Sequence, residues 1–429
     1  MKKKYRIILY TSIFLLCVVA SIILVVKKSN SVYEEESKPK VVKHKSMLSM
    51  NLEQTAGSGD YKTVTQSSWP TEGYKFNAEL SRCENGSTLS WDDTKKAVIV
   101  SGNLSDKCYV YFDIYQPTLA EYIKSQYTGT QGENNIYYHD SDLANGAGDN
   151  SYRYAGANPN NFVCFGSDTS PCPTDNLYRI IGVFGENYHG VTGKQLVKLI
   201  KYDYMTTDEL GTDGDYSQTY KEWGMDSTYK GTYGDGERIG VYYWNYKATG
   251  SATNTWSTSL LNKTNLNTNF INYLGTTWAN KIATVTWKVG GNIFLNIGDV
   301  VPATTYQNEI VNPVTTNTTD NATTYSAKIG LMYVSDYGFA ASPDAWTLTM
   351  SSYNNTIATN NNWLYMGLFE WTISRYADSS SYAFIVNFDG YVRSNYVNFN
   401  YGVRASFSLE SSVSYVSGSG SMSDPIVIN

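Results

Sequence analysis

The stretch YVRSNYVNFNYGVRASFSLE, residues 391–410, changes character halfway along. Its second half, Val403-Arg404-Ala405-Ser406-Phe407-Ser408-Leu409-Glu410, alternates apolar and polar residues, the pattern of a strand with one buried face. Its first half keeps no such period. Tyrosine, asparagine and phenylalanine follow one another there, and packing alone does not account for the choice. Just upstream, Ala383-Phe-Ile-Val-Asn-Phe388 and Tyr391-Val392-Arg393 flank Asp389-Gly390, the signal of a hairpin closed by a two-residue type I′ turn. Hairpin and terminal strand together leave residues 394–401 as a connection, where function collects. Tyr396, Asn398, Phe399, Asn400 and Tyr401 are expected on that connection. Tyrosine offers a flat contact at small rotamer cost, and asparagine both donates and accepts hydrogen bonds.

The surrounding region, residues 117–429, reads as one large α+β domain with many strands and few helices. Thr118-Leu-Ala-Glu121 has the spacing of a helix capping box, and Leu119, Tyr122 and Ile123 form one stripe behind it. Residues 177–184 and 194–201 read as a hairpin. Residues 203–255 read as a long surface excursion rich in Asp, Gly and Tyr, and residues 257–281 as a helical stretch. Further strands are expected at 282–289, 328–334, 368–376, 383–388 and 403–409. Before this domain, residues 61–116 read as a small β module in which strands at 96–101 and 108–112 are joined by the turn Gly102-Asn103. Residues 29–60 read as a disordered stalk with too little apolar content to fold.

The N-terminus carries the plainest signal. Lys2, Lys3, Lys4 and Arg6 precede an uncharged apolar run, residues 7–26, about the length that crosses a bilayer. It exceeds the core of a cleaved signal peptide, so residues 1–28 are expected to remain as a membrane anchor. Lysines beyond the span leave its orientation open by charge alone. Outside it, Cys83, Cys108, Cys164 and Cys172 form two local pairs, and disulfides 83–108 and 164–172 require an oxidising compartment. The bulk of the chain is therefore expected to be extracellular.

Composition excludes some functions. Across 429 residues the net charge is −6, with no basic footprint, so no nucleic-acid partner is expected. Tyrosine is over-used, at 38 residues, whereas histidine occurs only at His44, His139 and His189. No nucleophile–base set, metal cluster or cofactor motif stands out, so no catalytic residue, metal or cofactor is assigned. His139 with Asp140 and Asp142 reads as a polar loop rather than a cation site. Residues 212–215 and 233–237 resemble fragments of calcium loops without completing the ligand series. The asparagine runs at 312–321 and 354–362 read as solvated loops. Trp363, directly after the second run, is a candidate platform for a sugar ring, with burial as the alternative.

The order Phe369-Glu370-Trp371-Thr372, a strand, a glycine turn, Arg393 and then Gly402-Val403-Arg404-Ala405-Ser406-Phe407 resembles the closing strands of C-type-lectin-like domains of the formylglycine-generating-enzyme type. The arrangement of anchor, small cysteine module and Tyr/Asn-rich domain also looks like bacterial surface proteins sharing this C-terminal half. Related proteins varied by diversity-generating retroelements display changeable residues, often Tyr and Asn, just before the final strand. By that resemblance Tyr391, Arg393, Asn395, Tyr396, Asn398, Asn400 and Tyr401 fall in the ligand-binding zone. No cysteine follows Cys172, so the thiols of the oxidase are missing, and so are the signatures of calcium-dependent sugar binders. The resemblance implies a non-catalytic cell-surface protein binding a protein or glycan ligand on another surface. An extracellular hydrolase acting on glycans, with paired carboxylates in a cleft, is the alternative, and a structural cell-envelope component is a third.

Overall fold

The computed structural model describes residues 48–65, 68–70, 73–214, 228–233, 238–292, 300–313, 323–354 and 359–429. The expected span and the stalk up to residue 47 lie outside them. So do most of the asparagine run at 312–321, residues 355–358 of the second run, and Asp215 and residues 234–237 of the acidic turns. Among the described residues no helix is long and apolar enough to cross a membrane. The fold is mixed α+β, mostly sheet with few helices. The chain forms two compact units, Met1–Tyr115 and Gln116–Asn429.

The first unit contains β1 Leu48–Glu53, β2 Tyr61–Val64, β3 Tyr74–Cys83, β4 Thr88–Asp92, β5 Ala97–Ser101 and β6 Cys108–Ile114. Four of them make a sheet in the order β2-β1-β6-β3, and β4 pairs with β5 alone. The stalk expectation therefore overran. In β1, Met50 and Leu52 are buried beside Val110 and Phe112, and the carboxylate of Glu53 accepts from the N–H groups of Gly59 and Ile114. The expected pairing of β5 with β6 is also corrected. Asp106 accepts from the N–H groups of Asn85 (2.9 Å) and Ser87 (3.1 Å), which ties the loop before β6 to the turn after β3. Cys83 and Cys108 consequently face each other across β3 and β6 and are bonded, with Cα atoms 4.0 Å apart.

The second unit holds β7 Ile136–His139, β8 Ser151–Tyr154, β9 Phe162–Cys164, β10 Leu177–Phe184, β11 Leu196–Lys201, β12 Val241–Tyr243, β13 Val285–Lys288, β14 Thr324–Ala327 and β15 Ile329–Gly330. It continues with β16 Glu370–Arg375, β17 Tyr382–Val386, β18 Val392–Tyr396, β19 Asn400–Gly402, β20 Ser406–Ser408, β21 Tyr415–Ser417 and β22 Val427–Ile428. Seven strands form one sheet, β15-β20-β11-β10-β8-β7 with β9 beside β10, and five form another, β12-β19-β16-β17-β18. The capping box at Thr118 is present on the helix Leu119–Ser125. The stretch after residue 257 is helical, winding as a π-helix over Leu261–Phe270 and then as an α-helix over Ile271–Ala279, interrupted at Gly275. The second disulfide, Cys164–Cys172, closes the loop after β9.

The opening stretch lies where the two sheets meet. β19 joins the five-stranded sheet and β20 the seven-stranded one, so Val403-Arg404-Ala405 carries the chain from one to the other. Phe407 sits between β11 and β15, fully buried, with the rings of Phe165 and Tyr178 at 4.9 and 5.5 Å. The expectation of a single buried face is corrected, because Arg404, Ser406 and Ser408 are buried too. Arg404 and Ser406 find polar partners inside. Arg404 forks onto Glu370 at 2.8 and 2.9 Å, and Ser406 Oγ donates to the Leu199 carbonyl.

Candidate functional site

β17 and β18 form the expected hairpin, with Val386 opposite Val392 and Tyr382 opposite Tyr396. Its turn differs from the expected two-residue type I′. Gly390 N–H donates to Asn387 O and Asn387 N–H to Tyr391 O, which leaves a three-residue loop. Only Gly390 takes a positive φ there, +101°, whereas a type I′ turn requires two such residues. The connection expected over residues 394–401 is mostly strand. Residues through Tyr396 extend β18, a tight turn occupies 397–399, and β19 begins at Asn400.

This arrangement separates the residues that sequence placed together. Tyr396 is 47% exposed and Asn398 is exposed, whereas Asn400 and Tyr401 are buried. Tyr401 packs against Phe369 and Trp371 at 5.0 and 4.9 Å, and its hydroxyl accepts from Asn395 Nδ2. Burial raises the pKa of that phenol. Arg393 is half-buried over the Phe369 ring at 5.5 Å, and Tyr391 is half-buried at the hairpin loop. Trp363 is not a platform. It is 3% exposed, donates from Nε1 to the Tyr154 carbonyl at 2.8 Å and lies under the Arg179 guanidinium. A large apolar ring with one donor is most stable in the core when a carbonyl meets that donor.

The exposed part of the strip borders a groove of about 500 Å³. Tyr396, Val397 and Asn398 form one side, Ser381 adjoins them, and residues 243–252 form the other. Backbone bonds fix the walls together. Asn245 N–H donates to Val397 O, Val397 N–H donates to Ser381 O, and both bonds are 3.0 Å long. Beneath them Asn254 Nδ2 reaches the carbonyls of Tyr376, Ser379 and Tyr382 within 2.9 Å. The loop is rooted by Trp244, buried against Trp256 and donating to the Thr372 carbonyl. On the outer surface Tyr382 and Tyr396 have ring centroids 4.3 Å apart, and Phe399, 44% exposed, continues the row.

Sequence reading missed Tyr243, Tyr246, Lys247, Ser251 and Ser381, which complete the groove. The tyrosine density of residues 203–255 was the available signal, but nothing local brings residue 246 beside residue 397.

Surface ion pairs join Lys95 to Asp92, Lys107 to Glu84 and Arg238 to Asp175, whereas three others are closed to solvent. Arg153 pairs with Asp149 at 2.7 Å, and Lys198 pairs with Asp336 at 2.6 Å with the Tyr188 hydroxyl between them. Lys201 pairs with Glu209 in the same manner. The side chains of these ions are almost wholly shielded from solvent, each paired with an opposite charge. His139 is likewise fully buried, its Nδ1 accepting from Ala147 N–H, and burial holds its pKa well below the usual range. Among the described residues no three His, Cys, Asp or Glu side chains are grouped to hold a metal ion. No family model, no curated protein and no solved structure matches the chain.

Proposed function

We propose that this is a membrane-anchored cell-surface protein whose large domain, a variant of the lectin-like scaffold, binds a protein or glycan ligand without catalysis. The observation that carries the reading is the groove beside the tight turn 397–399. Its walls are fixed by backbone bonds, its rim presents the exposed Tyr396 and Asn398, and no carboxylate lines it among the described residues. A rigid support under exposed aromatic and amide groups favours binding, because little side-chain freedom is lost on contact. Most glycan hydrolases use two facing carboxyl groups at the scissile bond. The described lining of the groove offers none, which favours binding over the hydrolase reading. The two disulfides fit an oxidising compartment, and the apolar run at residues 7–26 supplies the anchor.

The test is a glycan and protein array probed with the full chain in detergent, alongside Tyr396→Ala. Capture of a ligand by the native chain, weakened in the variant, is the expected result. Turnover of an arrayed glycan, or capture indifferent to Tyr396→Ala, would overturn the reading. N-terminal sequencing of membrane-fraction protein should begin upstream of residue 7. A start near Ser21 would remove the anchor.

A further inference from the structure

The chemistry of the groove narrows the ligand class, on the reading above that the groove is the binding site. Its aromatic members, Tyr243, Tyr246 and Tyr396, each carry a hydroxyl on a flat ring. Its aliphatic members are small, Ala248, Ala252 and Val397, and no Leu, Ile, Met or Phe lines it among the described residues. Pockets that seize a protein side chain are usually apolar at the centre and desolvated. This groove instead sets tyrosines among Ser251, Ser381 and Asn398, whose side chains donate and accept. Sugar rings present the matching surface, with C–H faces that stack on aromatic rings and hydroxyls around the edge. The volume, about 500 Å³, is that of a small-molecule site rather than of a protein footprint.

Charge adds a second restriction. The chain as a whole is acidic, yet the described lining contains one charged residue, Lys247, and no Asp or Glu. Lys247 is exposed and forms no ion pair with a described residue. Its ammonium lies near Gly250, where a Cβ would be in ordinary contact with Nζ at 3.4 Å. Gly250 itself has φ +79°, a conformation that favours glycine at this turn of the loop. An exposed cation at the rim of a polar groove, with no carboxylate among the described lining residues to neutralise it, selects an anionic group on the ligand.

We propose that the groove binds an acidic saccharide, a sugar residue carrying a carboxylate. Its ring lies against tyrosine, its hydroxyls meet Ser251, Ser381 and Asn398, and its carboxylate faces Lys247.

The experiment measures binding of the full chain to three probes: a sialic-acid-capped trisaccharide, a glucuronic-acid disaccharide and neutral lactose. An acidic probe should bind about fivefold more tightly than lactose, the fold-change that corresponds to about 1 kcal/mol for one exposed charge contact. That preference should shrink as salt is raised. Lys247→Gln should bring the acidic probe down to the neutral level, Lys247→Arg should restore it, and Tyr396→Ala should weaken every saccharide. Equal binding of acidic and neutral probes, or no effect of Lys247→Gln, overturns the acidic selection. Binding of no saccharide, while the protein array still reports a partner sensitive to Tyr396→Ala, overturns the sugar class and leaves the groove as the site. Indifference of all capture to Tyr396→Ala overturns the underlying reading as well.

Discussion

Tyr396 and Tyr401 stand on either side of one tight turn, yet their environments are opposite. The first is half in solvent beside the groove, and the second is buried between Phe369 and Trp371. Identical side chains therefore serve different purposes, and substitution separates them. Tyr396→Ala should change stability by less than about 0.5 kcal/mol, as surface changes do, while costing roughly 1–3 kcal/mol in ligand binding. Tyr401→Ala should destabilise the unit by about 3 kcal/mol, and Phe407→Ala by roughly 3–5 kcal/mol, each through a core cavity. Denaturant unfolding of the three variants checks the order. A Tyr401→Ala protein as stable as Tyr396→Ala would contradict the burial described here. At this scale residue type was informative and position was not. Nothing in the sequence around Trp363 says whether its ring meets a sugar or, as it does, the Arg179 cation.

Among the elements, β20 and the segment leading into it show how a pattern can be read correctly and placed incompletely. Of the alternating residues 403–410 only Ser406–Ser408 form a strand, and it is covered on both faces, so its polar side is buried with its apolar one. The polar positions are buried because Glu370 on β16 comes to meet Arg404. β11 behaves alike, its Lys198 and Lys201 buried against Asp336 and Glu209. Arg404→Ala should therefore cost about 3–5 kcal/mol, much of it from stranding the Glu370 carboxylate. Adding Glu370→Gln to that variant should recover part of the loss in a double-mutant cycle. A second element carries a pH dependence. At the start of the helix Val334–Ala340, Glu309 accepts from Val334 and Ser335 N–H and from the Ser374 hydroxyl. Burial pushes its carboxyl up from 4.5 to about 7. The folded state thus keeps a proton that the unfolded chain releases above about 4.5, so stability should fall as pH rises from about 4.5 to about 7 and level off beyond. Glu309→Gln should flatten this slope, which is on the order of 3 kcal/mol in full. Melting temperatures measured across that window test it, and an unchanged slope in the variant would refute the assignment.

At the level of the whole molecule, the small first unit depends on a staple more than the large one does. Its buried apolar cluster centres on Met50, Leu52, Val110 and Phe112, and Cys83–Cys108 closes a separation of 25 residues between β6 and the edge strand β3. Replacing both cysteines with serine should destabilise this unit by roughly 2–5 kcal/mol and leave the second unit folded. Two unfolding transitions, with only the first displaced, are the expected calorimetric trace, and a displaced second transition would argue against it. The sequence by itself determined the helix cap at Thr118, the hairpins of β10 with β11 and β17 with β18, the two cysteine pairs and the mixed α+β class. Each rests on interactions between residues close in the chain, where spacing alone fixes who meets whom. Only the tertiary structure decided which tyrosine is buried, why β20 hides its polar side and that residues 243–252 wall the groove with Tyr396 and Asn398. Those outcomes depend on partners far along the chain, Trp371 for Tyr401, Glu370 for Arg404 and Val397 for Asn245, and sheet order sets such meetings rather than local period.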